Sequence, residues 1–222
     1  METPPGPSAL VLPFDLESDL EWRIAASPAW GIGMDWCESR RRHPAGSVKE
    51  HVAQVLAHLD RLALPAPTRA RLRLAALVHD AFKYREDMSV PRVSPNEHGY
   101  LASQWLAPFV DDPVLLALLE LHDEGYRAWR SARWGAEGQE RVRLERLVAR
   151  LPHDMNLYAT FYWANNQTDG KDQSQLAWFA RRLGDLGYEL SPLPFRSFPV
   201  GRLAASPSSF FRQVFRQEFD HE

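Results

Sequence analysis

Eight histidines are spread over 222 residues, and four of them sit in surroundings unlike those of a solvated histidine. His51 lies in SVKEHVAQVLAHL, His79 and Asp80 close the run LAALVHD, His98 stands in NEHGYLAS, and His122 in LLELHDEG. Each falls on or at the end of a predicted helix, beside apolar residues that turn inward. The stretch before His79-Asp80 has nothing else polar to bury. A carboxylate there without a partner is costly, so Asp80 calls for a cation or several hydrogen-bond donors. A divalent ion bound by neutral imidazoles and carboxylates meets that need. Such donors suit Mn, Fe, Co, Ni or Zn, whereas Mg is favoured only where oxygen ligands dominate.

Other polar residues fill out the candidate set. Lys83 and Arg85 follow the His-Asp pair and can offset the charge of an anionic substrate; a solvated helix end is their alternative role. A late polar cluster runs from Asn165 to Asp169. His58 shares a helical face with His51 two turns away. His43, His153 and His221 read as solvated, as does the Arg40-Arg41-Arg42 run, and Arg127 and Arg130 are weaker cationic candidates.

The elements that must position these groups read as helices. Ser47 with Glu50 three places on is a capping box, and Val48, Val52, Val55, Leu59 and Leu62 form the stripe that follows. Thr68 is placed to cap the next helix, whose LAALV run (74–78) is apolar all round and therefore central. Ser94-Pro95-Asn96-Glu97 reads as another capped start with Pro at the first helical position, continued inward by Leu101 and Trp105. Asp112-Pro113 opens a fourth helix rich in leucine. A polar connection is expected at about 127–138, then helices near 139–151, 153–165 and 173–186. The aromatic stretch holding Trp22, Trp30 and Trp36 has no clear period. Strand-like alternation is nearly absent, so the class is all-α, a compact helical bundle.

Residues 1–20, rich in Pro and acidic side chains, are expected to be flexible. One domain should span 21–190, with the motif-bearing core at 47–180. The tail 191–222 reads as irregular, ending in an amphipathic segment after Ser206-Pro207. There Phe211, Phe215 and Phe219 recur at a spacing of four and are expected to dock on the core.

The net charge of −3 gives no electrostatic reason to expect nucleic-acid binding. The single Cys37 excludes an intrachain disulfide and a thiolate cluster. No secretory signal or bilayer-spanning run is legible, so no membrane association and a cytoplasmic location are expected. The 26 basic residues divide into 3 Lys and 23 Arg, a skew read mostly as coding bias.

The order His51, then His79-Asp80, then His98, then His122, then a late Asp resembles the ligand signature of the HD-domain superfamily of metal-dependent phosphohydrolases. Lys83 in HDAFK strengthens the likeness, since many members read HD-x-G-K. The resemblance implies an HD-type helical domain and a divalent transition metal, with one or two ions. It implies His51, His79 and Asp80 as first ligands and His98 and His122 as ligands of a second ion. The last ligand is Asp169 if aligned on charge, or Asn165 if aligned on Ala164 in WANNQTDGKD. The implied activity is hydrolysis of a phosphate ester or anhydride in a small phosphorylated substrate, a nucleotide being the expected class. Asp80 and Lys83 would be catalytic, and Lys83 and Arg85 would bind substrate. Two alternatives remain open: a di-iron oxygenase of the same fold, and a degenerate domain that binds a nucleotide or protein without turnover.

Overall fold

A computed structural model describes residues 11–37, 46–135, 137–168 and 171–196. Ten α-helices occur among them: α1 (Asp19–Ala25), α2 (Pro28–Asp35), α3 (Val48–Leu59), α4 (Ala66–Val78), α5 (His98–Leu106), α6 (Pro113–Leu121), α7 (Glu124–Trp134), α8 (Gln139–Arg150), α9 (Met155–Asn166) and α10 (Ser174–Asp185). Short 3-10 turns cover Lys83–Arg85 and Ala107–Phe109. The described residues contain no strand, only an isolated bridge between Leu62 and Phe195. The chain is all-α, as its periodicity implies, and no described helix is long and apolar enough to cross a membrane.

The apolar run of α4 forms the axis. Every residue from Leu72 to Phe82 is buried, and α3, α6 and α9 pack around this stretch. Helix α5 lies on α6, while α7 packs on α8 and α10. Local signals set several of the starts. The Glu50 carboxylate accepts from the Ser47 N–H at 2.7 Å, and Asp112 Oδ1 accepts from the Leu115 N–H at 3.0 Å, each satisfying a donor that a helix start leaves free.

Three elements depart from the sequence expectation. Helix α4 begins at Ala66 behind Pro65, ahead of Thr68, because Pro67 in the first turn fixes a helical φ without needing a donor. Helix α5 begins at His98, not at Pro95. Its first N–H is taken by the Glu86 carboxylate, 2.9 Å away and twelve residues upstream. The expected connection at 127–138 is instead largely α7. Its buried face is Glu124, Gly125, Ala128 and Trp129, so the stretch as a whole reads as polar although its two faces differ.

The aromatic stretch near the N-terminus forms α1 and α2, which brace the end of α4. Trp30, fully buried, donates its Nε1–H to the Leu77 carbonyl at 2.8 Å, one of the acceptors a helix C-terminus leaves unsatisfied. Gly33 lies so close that a Cβ there would meet the Ala81 carbonyl oxygen at 1.7 Å. Farther along α4, buried Arg73 donates through Nε to Glu21 at 2.8 Å and through Nη2 to the Asp15 carbonyl at 2.8 Å. These contacts hold the segment before α1 on the core, where Leu12, Phe14 and Leu16 also pack. At the other end Ser191 N–H donates to Asn156 Oδ1 at 2.7 Å. The phenylalanine-rich segment lies outside the described residues.

Candidate metal centre

Several helix ends meet at one buried point. His51 comes from the first turns of α3 and Asn165 from the end of α9. His79 and His122 are the C-terminal caps of α4 and α6, and His98 is the first residue of α5. The carbonyl ends of α4 and α6 carry partial negative charge, which favours a cation between them. His51, His79, Asp80, His98, His122 and Asn165 are all buried, none more than 7% exposed. That burial rules out solvated histidines and sets a large penalty on any unpaired charge.

The ring orientations are fixed from outside. His79 donates Nδ1–H to the Ala76 carbonyl at 2.9 Å, and His122 donates Nδ1–H to the Leu119 carbonyl at 2.8 Å. Both bonds reach back three residues, the same local solution at two helix ends. His98 donates Nδ1–H to Glu86 Oε1 at 2.6 Å. With Nδ1 engaged, a neutral ring presents a lone pair at Nε2. The Nε2 atoms of the four rings converge in pairs, His51 with His79 at 3.3 Å and His98 with His122 at 3.1 Å. Two nitrogens bound to one ion at about 2.1 Å sit roughly 3.0–3.4 Å apart, so the spacing is that of neighbouring ligands.

Asp80 joins the two pairs. Its Oδ2 lies 3.5 Å from His79 Nε2 and 3.7 Å from His51 Nε2. Its Oδ1 lies 3.4 Å from His98 Nε2 and 3.7 Å from His122 Nε2. The result is two potential metal-holding groups sharing one carboxylate: His51, His79 and Asp80, and Asp80, His98 and His122. Asn165 Oδ1 adjoins the first group, 2.9 Å from His51 Nε2. The donor set could hold a metal ion in both chemistry and spacing.

Charges at the rim complete the cluster. Lys83 Nζ donates to Asp80 Oδ2 at 2.6 Å. Lys171 Nζ donates to Asn165 Oδ1 at 3.0 Å and to its carbonyl at 2.7 Å. Asp123 faces the other pair, its carboxylate oxygens 3.7 Å from His98 Nε2 and 3.6 Å from His122 Nε2.

Burial pushes His79 down to about 3 despite the Asp80 carboxylate, and burial together with Lys171 holds His51 well below its ordinary value. Both rings are therefore neutral and ligand-competent near neutral pH. Burial opposes a charge on His98, but Asp80 and Glu86 outweigh it and raise this ring to about 9. Burial would lift the carboxyls of Asp80 and Asp123, yet neighbouring histidines and Lys83 hold both below the usual carboxylate range. Burial draws Lys171 down to about 8. In the metal-free protein a proton on His98 supplies part of the positive charge that the carboxylates demand.

Of the residues singled out in the sequence, His51, His79, Asp80, His98, His122, Asn165 and Lys83 come together. Asp169 lies outside the described residues. Arg85 is exposed, and no contact joins it to the cluster among the described residues. Arg127 pairs with Glu97 at 2.7 Å, Arg130 lies over the Tyr126 ring, and His58 meets the Trp163 ring edge-on. Sequence reasoning missed Asp123, Glu86 and Lys171 as members. For Asp123 a signal existed: His122-Asp123 closes the apolar run LLEL much as His79-Asp80 closes LAALV. For Lys171 it was the scarcity of lysine, since two of the chain's three lysines converge here. Glu86, in a loop, had no signal.

No family model, curated protein or solved structure matches the chain.

Proposed function

We propose that the chain is a metal-dependent phosphohydrolase of the HD type, acting on a small phosphorylated molecule, with a nucleotide as the expected class. One observation carries this reading: each oxygen of buried Asp80 faces its own pair of histidine Nε2 atoms at ligand spacing. His51, His79, His98, His122 and Asp80 would hold the metal. When bound, a divalent ion supplies Lewis acidity, which lowers the pKa of water and polarises a phosphoryl oxygen.

The chain's own residues supply the rest. The outward-tied Nδ1 atoms of His79, His98 and His122 keep these imidazoles from rotating, and burial excludes bulk water from the ligands. Lys83 and Lys171 place two ammonium groups at the rim, where they offset charge on phosphoryl oxygens in ground and transition states. Hydrolysis forms one bond from water oxygen to phosphorus and breaks the bond from phosphorus to the leaving oxygen. One water proton ends on that leaving oxygen and the other stays with the released phosphate.

A second reading, a di-iron oxygenase, draws on the same sharing of Asp80 by two histidine pairs. The test is a screen of the purified full chain, stripped by chelator and reloaded separately with Mn, Co, Ni, Fe or Zn. Nucleotides and phosphomonoesters are offered, and phosphate release and oxygen uptake are both followed. Metal-dependent phosphate release without oxygen uptake is the expected result. Iron-specific oxygen uptake would favour the oxygenase, and binding without either would favour a non-catalytic module.

A further inference from the structure

The two halves of the centre share a carboxylate but differ in charge. On the His98–His122 side, Asp80 Oδ1 and Asp123 both face the imidazole nitrogens within 4 Å. That side offers two imidazoles and two anionic carboxylates. On the His51–His79 side, Asp80 Oδ2 is already bonded to Lys83 at 2.6 Å. The remaining oxygen belongs to the neutral amide of Asn165, itself bonded to Lys171 at 3.0 Å. Both oxygen donors on this side thus carry an ammonium, and a bound cation there would meet two like charges at close range.

Those two lysines are unusual in this chain, whose basic residues are otherwise almost all arginine. Lysine is a compact point charge on a flexible stem, able to swing from a carboxylate or amide oxygen to an incoming anion. An oxyanion placed between Lys83 and Lys171 would draw both ammonium groups away from Asp80 Oδ2 and Asn165 Oδ1. It would also bring the negative charge that Asn165 lacks.

We propose that the centre fills in order: one ion binds tightly at Asp80, His98, His122 and Asp123, and the His51–His79–Asn165 half takes a second ion only together with an oxyanion held by Lys83 and Lys171. This rests on the metal-centre reading above. The oxyanion class is phosphate or a phosphate ester, matching two converging ammonium groups. Asn165 and Lys171 act as positioning residues that make the second ion dependent on the anion.

Equilibrium dialysis of the chelator-stripped full chain against Mn tests this, with and without inorganic phosphate held below the level that precipitates Mn. One tight ion per chain is expected without phosphate. Phosphate should add a second, with a gain in its apparent affinity of roughly ten- to hundredfold. His51→Ala should keep the tight ion and lose the phosphate-dependent one, whereas His98→Ala should lose the tight ion. Asn165→Asp, a near-isosteric change that should fold normally, is expected to bind two ions without phosphate. Lys171→Met should reduce the phosphate dependence. Two equivalent ions in wild type without phosphate would overturn the ordering while leaving the phosphohydrolase reading in place, as would a tight ion that survives His98→Ala and is lost in His51→Ala. Binding of no ion at either half would overturn both.

Discussion

Replacing Gly99 by Ala should loosen the candidate metal centre without touching a candidate ligand. Gly99 follows His98 in the first turn of α5, and a Cβ there would lie 2.7 Å from the Leu119 carbonyl oxygen, 3.0 Å from that of Glu120 and 3.1 Å from His122 Nδ1. A carbon–oxygen contact settles at about 3.3–3.6 Å, so α5 and the end of α6 must separate by roughly half an ångström or more. Two of the three obstacles are backbone and cannot rotate aside. Helix propensity favours Ala over Gly by up to about 1 kcal/mol, while overpacking costs about 1–3 kcal/mol. The clash therefore wins. At roughly 2–4 °C per kcal/mol for a chain of this size, the metal-free protein should lose a few degrees of melting temperature. The larger effect is on the ligands. The His98–His122 Nε2 separation of 3.1 Å would widen toward the limit that one ion can span, and the Leu119 carbonyl that orients His122 moves too. A loss of about ten- to hundredfold in Mn affinity follows, comparable to losing an orienting partner. A tenfold loss removes about 1.4 kcal/mol of metal-linked stability, so the rise in melting temperature on adding Mn should shrink. Scanning calorimetry with and without Mn, beside a Mn titration, reads both effects. Unchanged melting temperature and wild-type Mn affinity would refute the claim that this close approach sets the ligand geometry.

Three further predictions concern the scaffold and its charges. Arg73→Met should cost about 3–5 kcal/mol by leaving the buried Glu21 carboxyl without its cationic partner, read as a lower urea midpoint; an unchanged midpoint would show that the segment before α1 is held by other contacts. Trp30→Phe should cost about 1–3 kcal/mol by stranding the Leu77 carbonyl, with amide exchange fastest at the end of α4; uniform exchange would argue against local bracing. His98, raised to about 9 in the folded metal-free protein, should contribute stability that is complete below about pH 6.5 and lost as pH rises through 9, a span on the order of 3 kcal/mol. Urea unfolding at pH 6, 8 and 10 should show this fall for wild type and a shallower one for Glu86→Gln, and parallel profiles would contradict the role given to Glu86.

The parts of the fold readable from sequence were those governed by local chemistry. The Ser47–Glu50 pair, the Asp112-Pro113 start and the unbroken apolar run of α4 each announce themselves within a few residues. Helix α7 did not, because its core-facing positions hold Glu124, Gly125, Ala128 and Trp129, and its polar outer face makes the stretch read as a connection. The start of α5 was misplaced for a similar reason, since its first donor is satisfied by distant Glu86. In the centre, the four histidines were legible through their joint pattern, since one alone on an apolar stripe can simply pack, as His58 does on Trp163. The charges around them were harder to read. Lys171 lies just past the end of α9, and only folding brings it back to Asn165.

The most direct test of the centre is elemental analysis of the full chain loaded with Mn and freed of excess metal, wild type beside Asp80→Ala. Among the described residues Asp80 alone is shared by both histidine pairs, so its loss should empty the protein of tightly bound metal while wild type retains at least one ion per chain. Wild-type metal content in Asp80→Ala would contradict a metal-holding role for Asp80 and leave it a structural one.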